Sequence, residues 1–194
     1  FIFLWFIYYI SHYLKIDVSN VPLDVEEIIQ QHNDIDDYIY ETLKRAFWDK
    51  LQDDLLNKEY TGMINVLREL REKLCNLVPN RRDLHEEYHE FIDVDLIKQM
   101  LDNNAITPSY ILSLVNYIIS VLKQMDSLSE EYFYDMWQTE LYKFLVDEGV
   151  ANEVILPIFL RESYTRIELI EKHIETFKNS SMYKAILERR QYES

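Results

Sequence analysis

The residues whose type and spacing could do chemistry lie at His85-Glu86-Glu87-Tyr88-His89. Two histidines four apart fall on one face of a helix. There both rings can reach one zinc ion, and the glutamate between them can take a proton from metal-bound water. Such a site needs a third ligand, which Glu131 or Asp135 would have to supply. A competing reading comes from the neighbours. The run Arg81 to Glu90 reads Arg-Arg-Asp-Leu-His-Glu-Glu-Tyr-His-Glu, the composition of a solvated surface helix. Helices that carry catalytic zinc are apolar around their ligands, and no downstream histidine-glycine-histidine element follows. The expectation is therefore no catalytic residue, no cofactor and no resident metal. His85, Glu86 and His89 remain as a remote metallopeptidase alternative, with His85 and His89 the weak metal candidates.

Other reactive patterns are sparser still. There is no glycine-rich phosphate loop, nucleophile elbow or paired-cysteine motif. The acidic run Asp34, Asp36, Asp37 and Glu41 lacks the glycine turn of a calcium loop and reads as a solvated face. Cys75, the one cysteine, follows Leu74 in an apolar helical stretch and is expected to be a buried small hydrophobe. With no second cysteine to pair with, it points to a reducing compartment. Tyr132, Phe133, Tyr134, Trp137 and Tyr142 form an aromatic cluster along the chain. Core packing is its expected use. The alternative is a face for a partner, with Tyr132, Phe133 and Trp137 as candidate contacts.

The elements that must position these residues are helices. The chain has 2 glycines and 4 prolines in 194 residues, too few for the turns of sandwiches or barrels. Apolar residues at Ile35, Ile39, Leu43, Phe47, Leu51 and Leu55 recur every fourth position, and Trp48 widens the stripe. Asp24 with Glu27 fits the start of a short helix, and Gln31 to Asp37 reads as a loop or a helix start. A new helix opens at Thr61-Gly62 and closes at Pro79. Arg81 to Phe91 carries a thin stripe of Leu84, Tyr88 and Phe91. Asp93 caps a helix over Val94 to Leu101 that ends at Asn103-Asn104. Thr107-Pro108 opens the next, Tyr110 to Leu122. Ser127 with Glu130 is a second capping box before Tyr132 to Val146, which Gly149 ends. Ala151 to Lys178 is one helix bent at Pro157 or two short ones, and a last helix spans Met182 to Arg190. The fold class is all-α, an irregular multi-helix bundle of about eight to ten helices.

Composition bounds the function. A net charge of −15 without a basic stripe excludes nucleic acid and disfavours anionic membranes. The chain opens on Phe1 rather than methionine, so it reads as a piece of a longer protein. Phe1 to Ile10 is wholly apolar or aromatic. Residues 1–20 are expected to be an anchor or a partner-packed segment, with Phe1 and Trp5 as candidate contacts and membrane contact confined to residues 1–14. Residues 21–194 are expected to form a single helical domain. Scarce alanine with plentiful Ile, Asn, Lys, Tyr and Phe is the bias of an A+T-rich genome, such as that of a protist or a large DNA virus.

From Ala46 onward the residues resemble the T-complex protein 11 family. Phe47-Trp48-Asp49 with Leu51 is similar to its opening motif, and Tyr60 followed by Leu67-Arg68-Glu69-Leu70 to its next helix. Leu74 with Leu77-Val78-Pro79 is similar to its proline-terminated close. Phe91-Ile92-Asp93-Val94-Asp95-Leu96-Ile97-Lys98-Gln99 is similar to its most characteristic block. The likeness covers about residues 46–122. Beyond it, Lys123-Gln124-Met125-Asp126-Ser127 departs from the family's Cys-Ala-Pro-x-Arg-Asp stretch. The resemblance implies an all-helical fold without known catalytic residues, in which Phe47 and Trp48 anchor the core, Asp93 caps a helix, and Leu96 and Ile97 are core. It also implies roles in cyclic-AMP signalling and flagellar function through other proteins. The expected function is a non-enzymatic interaction or scaffold protein of the cytoplasm. The alternative is a structural component of a large assembly, a virion shell or ciliary, flagellar or cytoskeletal machinery.

Overall fold

The computed structural model describes residues 25–192. Among these the secondary structure is helical and no strand occurs. The helices are α1 (Val25–Leu56), α2 (Thr61–Leu77), α3 (Arg82–Phe91), α4 (Val94–Asp102), α5 (Pro108–Met125), α6 (Glu131–Tyr142), α7 (Asn152–Asn179) and α8 (Ser181–Tyr192). A 3-10 turn, Leu128–Glu130, precedes α6, and a π-turn, Lys143–Asp147, follows it. The apolar segment 1–20, with Phe1 and Trp5, and Asp24 of the expected first capping box lie outside the described residues.

The chain divides between Lys44 and Arg45 into two compact units. In the first unit, α1 runs unbroken through Gln31 to Asp37, which was expected to be a loop or a helix start. That stretch is polar but holds neither glycine nor proline, and polarity alone does not interrupt the backbone ladder. Tyr38, Ile39, Tyr40 and Leu43 are all exposed, and the Lys44 ammonium lies 5.7 Å from the centre of the Tyr40 ring.

In the second unit, the helix ends are set by short-range hydrogen bonds. The Asp93 carboxylate accepts the backbone N–H groups of Asp95 and Leu96 at the start of α4. Thr107 Oγ1 accepts from the Tyr110 N–H, and Pro108 fills the first position of α5, where no N–H is needed. At the far end of α4, Asn104 takes φ +50°, and the next N–H, of Ala105, reaches back to the Met100 carbonyl at 2.7 Å. Gly149, at φ +63°, ends the turn after α6. The second capping box does not form. Ser127 Oγ accepts from the Ser129 N–H within the 3-10 turn, and Glu130 turns away to Arg166. An ion pair across the fold displaces the local bond.

Packing joins these helices around α5 and α7. α7 packs on both α2 and α5; α3 and α4 lie against α2, and α6 lies against α5. The core rows are Met63, Val66, Leu67, Leu70 and Leu74 of α2, Val115, Ile118, Ile119 and Leu122 of α5, and Phe159, Leu160, Ile167 and Ile170 of α7. Cys75 is buried with them, as expected, and burial pushes its thiol up. A Cβ on Gly62 would sit 3.1 Å from Leu51 Cδ1, so the glycine permits the close approach of α2 to the end of α1. α7 is one helix with Pro157 buried inside it. The proline falls in the second turn, where its missing N–H removes only one early rung.

Two residues that the stripe and the resemblance placed in the core are not there. Phe47 is 50% exposed while its neighbour Trp48 is 6% exposed, and Leu96 is exposed while Ile97 is buried. Adjacent helical positions are about 100° apart, so only one of each pair can face the neighbouring helix. Ile39 and Leu43, on the same stripe, are exposed as well.

Candidate functional site

α3 carries the zinc-like spacing, and its geometry answers what each residue does. His85 Nε2 lies 3.0 Å from the carbonyl oxygen of Cys75 and 3.0 Å from that of Val78. Both oxygens only accept, so Nε2 carries the ring proton and donates to the pair. The imidazole thereby closes the C-terminal end of α2, where carbonyls lack helical partners. Nε2 is thereby taken up within the fold and is not offered to a zinc ion. His89, four residues on, is exposed, as is Glu86. The carboxylates that would have completed a metal site are held elsewhere: Glu131 and Asp135 lie 3.2 and 2.6 Å from the Lys123 ammonium. Among the described residues no group of three or more His, Cys, Asp or Glu is arranged to hold a metal ion.

The aromatic cluster of α6 is part core and part surface. Tyr134 is buried, and Trp137 stacks on Phe159 of α7 at 5.3 Å. Phe133 is half-buried between Tyr134 and Trp137. The Arg166 guanidinium lies 3.5 Å from the centre of the Phe133 ring and also binds Glu130 and Glu162. Burial pushes the Glu162 carboxyl up, against the opposing pull of Arg166. Tyr132 and Tyr142 stand outside the cluster, Tyr132 at 72% exposure. Of the three candidate contacts on α6, then, only Tyr132 is freely presented. Phe133 and Trp137 work mainly in packing.

A different aromatic pair joins α3 to α5 at the surface. Phe91, at the end of α3, stacks on Tyr117 of α5 with ring centres 4.3 Å apart and planes 12° apart. Tyr117 donates its hydroxyl proton to Glu87 Oε1 at 3.0 Å, one turn before Phe91 on the same face of α3. Burial pushes the Tyr117 phenol well above its ordinary value, and the Glu87 carboxylate adds to the rise. Despite the stack, Phe91 remains 53% exposed. The thin stripe Leu84, Tyr88, Phe91 predicts a buried Phe91. Leu84 and Tyr88 do turn inward, but Phe91 lies at the helix end, where α5 meets it only through the Tyr117 ring.

A profile of the T-complex protein 11 family matches residues 27–126. The chain belongs to the T-complex protein 11 family. The match reaches further at both ends than the stretch on which the resemblance rested. Three human relatives agree with it. T-complex protein 11-like X-linked protein 1 and T-complex protein 11-like X-linked protein 2 are each 31% identical over 116 residues, covering 58% of this chain and 22% of theirs. T-complex protein 11 homolog is 28% identical over 106 residues, 53% of this chain and 20% of that protein. The chain thus spans about a fifth of the curated relatives it matches. No solved structure matches it. The T-complex protein 11 match ends at Asp126, inside the stretch that departs from the family motif, and it includes α2 to α5 whole. Trp48, Asp93 and Ile97 occupy the structural places that the T-complex protein 11 resemblance implies, and Phe47 and Leu96 do not. Among the described residues no helix is long and apolar enough to cross a membrane.

Proposed function

We propose that this member of the T-complex protein 11 family acts by holding other proteins and not by catalysis. The observation that carries this reading is α3 itself. The helix with the most enzyme-like sequence uses His85 to close α2, yet leaves Phe91 as an exposed aromatic at the end of an acidic helix. Aromatic residues at protein surfaces are the usual anchors of interfaces. The finer reading, that the partners belong to cyclic-AMP-type signalling in the cytoplasm, comes from the family resemblance alone. A second reading is a structural part of a large assembly, in a virion or in flagellar or cytoskeletal machinery. It is favoured by the exposed Ile39 and Leu43 of α1, which a permanent neighbour would cover.

Cross-linking mass spectrometry in native extract, with the extract sized beforehand, tests these readings. Recovery in complexes of a few hundred kilodaltons or less, with cross-links to the same partners in repeated preparations, supports the interaction protein. Sedimentation with a particle supports the structural reading. Monomeric recovery without cross-links would sink both.

A further inference from the structure

Three features of the Phe91–Tyr117 pair set it apart from the other exposed apolar side chains. First, it is rigid: two rings from different helices stack, and Glu87 holds the outer hydroxyl. A fixed aromatic platform loses little conformational freedom on binding. Second, its border is acidic. From Glu86 to Asp95 the chain carries Glu86, Glu87, Glu90, Asp93 and Asp95 and no lysine or arginine, with His89 the one exposed histidine among them. Burial raises the Tyr110 phenol, two turns from Tyr117 on α5, and the Asp93 carboxylate adds to the rise, so Asp93 lies toward the α5 side of the rim. Third, the surrounding cations are engaged. Arg81 is paired with Asp83 and Lys98 with Asp102, and Arg71 donates to the Ile92 carbonyl from the inner side. Arg82 lies at the opposite end of α3. The outward positions of α5 beside the platform, Ser113 and Ser120, are uncharged. Interface centres are depleted of charge and rich in aromatics, with polar rims.

We propose that this α3–α5 face binds an arginine-bearing segment of a partner protein, with a guanidinium over the open side of Phe91 and the rim carboxylates paired to it or to its basic neighbours. This inference rests on the reading of the protein as an interaction module and names the partner's chemistry. Arginine fits better than lysine because its planar group stacks on a ring and still forks to a carboxylate. The same chain already makes that arrangement internally: Arg166 lies over Phe133 while pairing with Glu130 and Glu162. A second copy of this chain fits poorly, since a self-complementary contact would set Glu86, Glu90 and Asp95 against their own kind.

The full chain is titrated against a fluorescein-labelled peptide of arginines interleaved with glycine, read by anisotropy at physiological salt. Lysine and glutamate versions of the peptide run beside it. The arginine peptide should bind at least about threefold tighter than the lysine one, and the glutamate one not at all. Phe91→Ser should weaken arginine binding by about tenfold or more, and Glu90→Lys should do so independently. Tyr132→Ser, an exposed aromatic elsewhere, should leave binding unchanged. Thermal melts confirm that each variant is folded. Equal weakening by Tyr132→Ser, or unchanged binding by both Phe91→Ser and Glu90→Lys, overturns the proposal. So does a dimer in sedimentation that Phe91→Ser dissolves, because the face would then belong to a second copy. Native-extract cross-links separate this failure from that of the broader reading. Partners retained by Phe91→Ser leave the interaction module in place and remove this site from it, whereas absence of partners for both chains removes the module too.

Discussion

His173 donates its Nδ1 proton to Asp126 Oδ1 at 2.9 Å, joining a residue of α7 to the last residue matched by the family profile. The Asp126 side chain is fully buried, while that of His173 is 42% exposed. The same carboxylate also accepts the Tyr134 hydroxyl at 2.7 Å and the Ser127 N–H at 2.7 Å. Three donors from α6, α7 and the link between α5 and α6 therefore converge on one buried carboxylate, which is how such a group is kept inside a fold.

Removing that acceptor should be costly. Asp126→Ala leaves the buried Tyr134 hydroxyl without its partner and should destabilise the fold by about 2–4 kcal/mol. Tyr134→Phe alone should cost about 1–2 kcal/mol. Because both changes remove one shared bond, the double variant should cost less than the two combined. Denaturant unfolding of the four proteins measures this, and strict additivity would refute the hub.

His85→Ala should lower stability by about 1–2 kcal/mol, because the Cys75 and Val78 carbonyls lose their donor. The zinc content of the purified wild-type chain and the variant should be the same. A stoichiometric metal lost only in His85→Ala would instead assign α3 a metal role. Plasma emission analysis beside a thermal melt reads both.

The fold should weaken in alkali. Burial pushes the Tyr88 phenol up from 10.0 to about 12, and raises those of Tyr117, Tyr134 and Tyr164 further still. Each group holds its proton more tightly when folded, so its contribution is whole below pH 10 and is lost as pH climbs through the folded value. Denaturation midpoints should fall from about pH 10 upward, in step with phenolate absorbance. Tyr88→Phe should lessen that fall. A midpoint flat to pH 12 would contradict the burial of these rings.

Trp48 and Phe47 adjoin in the family's opening motif but should respond differently. Trp48→Ala removes a buried ring that packs edge-on to Tyr164 at 5.9 Å and should cost about 3–5 kcal/mol. Phe47→Ala removes a half-exposed one and should cost about 1 kcal/mol or less. Comparable losses would mean that something covers Phe47 in solution.

The amino-acid sequence by itself determined the helical class and most helix ends. Scarce glycine and proline leave the backbone to its own ladder, and the signals that stop it act within a few residues. Asp93 reaches N–H groups two and three positions on, Thr107 reaches one three on, and Asn104 and Gly149 supply left-handed turns locally. Family membership was legible for the same reason, since its motifs are runs of neighbouring residues. Where local signals compete with distant ones, the reading failed. Glu130 left its capping box for Arg166, thirty-six positions away, and Phe47 and Phe91 followed the apolar period yet stay half exposed. Tertiary structure alone decided the long-range side-chain partners. His85 meets carbonyls seven and ten positions back, Tyr117 meets Glu87 thirty positions away, and Asp126 meets His173 forty-seven away. Such contacts depend on how α2, α3, α5 and α7 pack against one another. A helical pattern states which face of each helix is apolar but not which polar group across the interface will meet it.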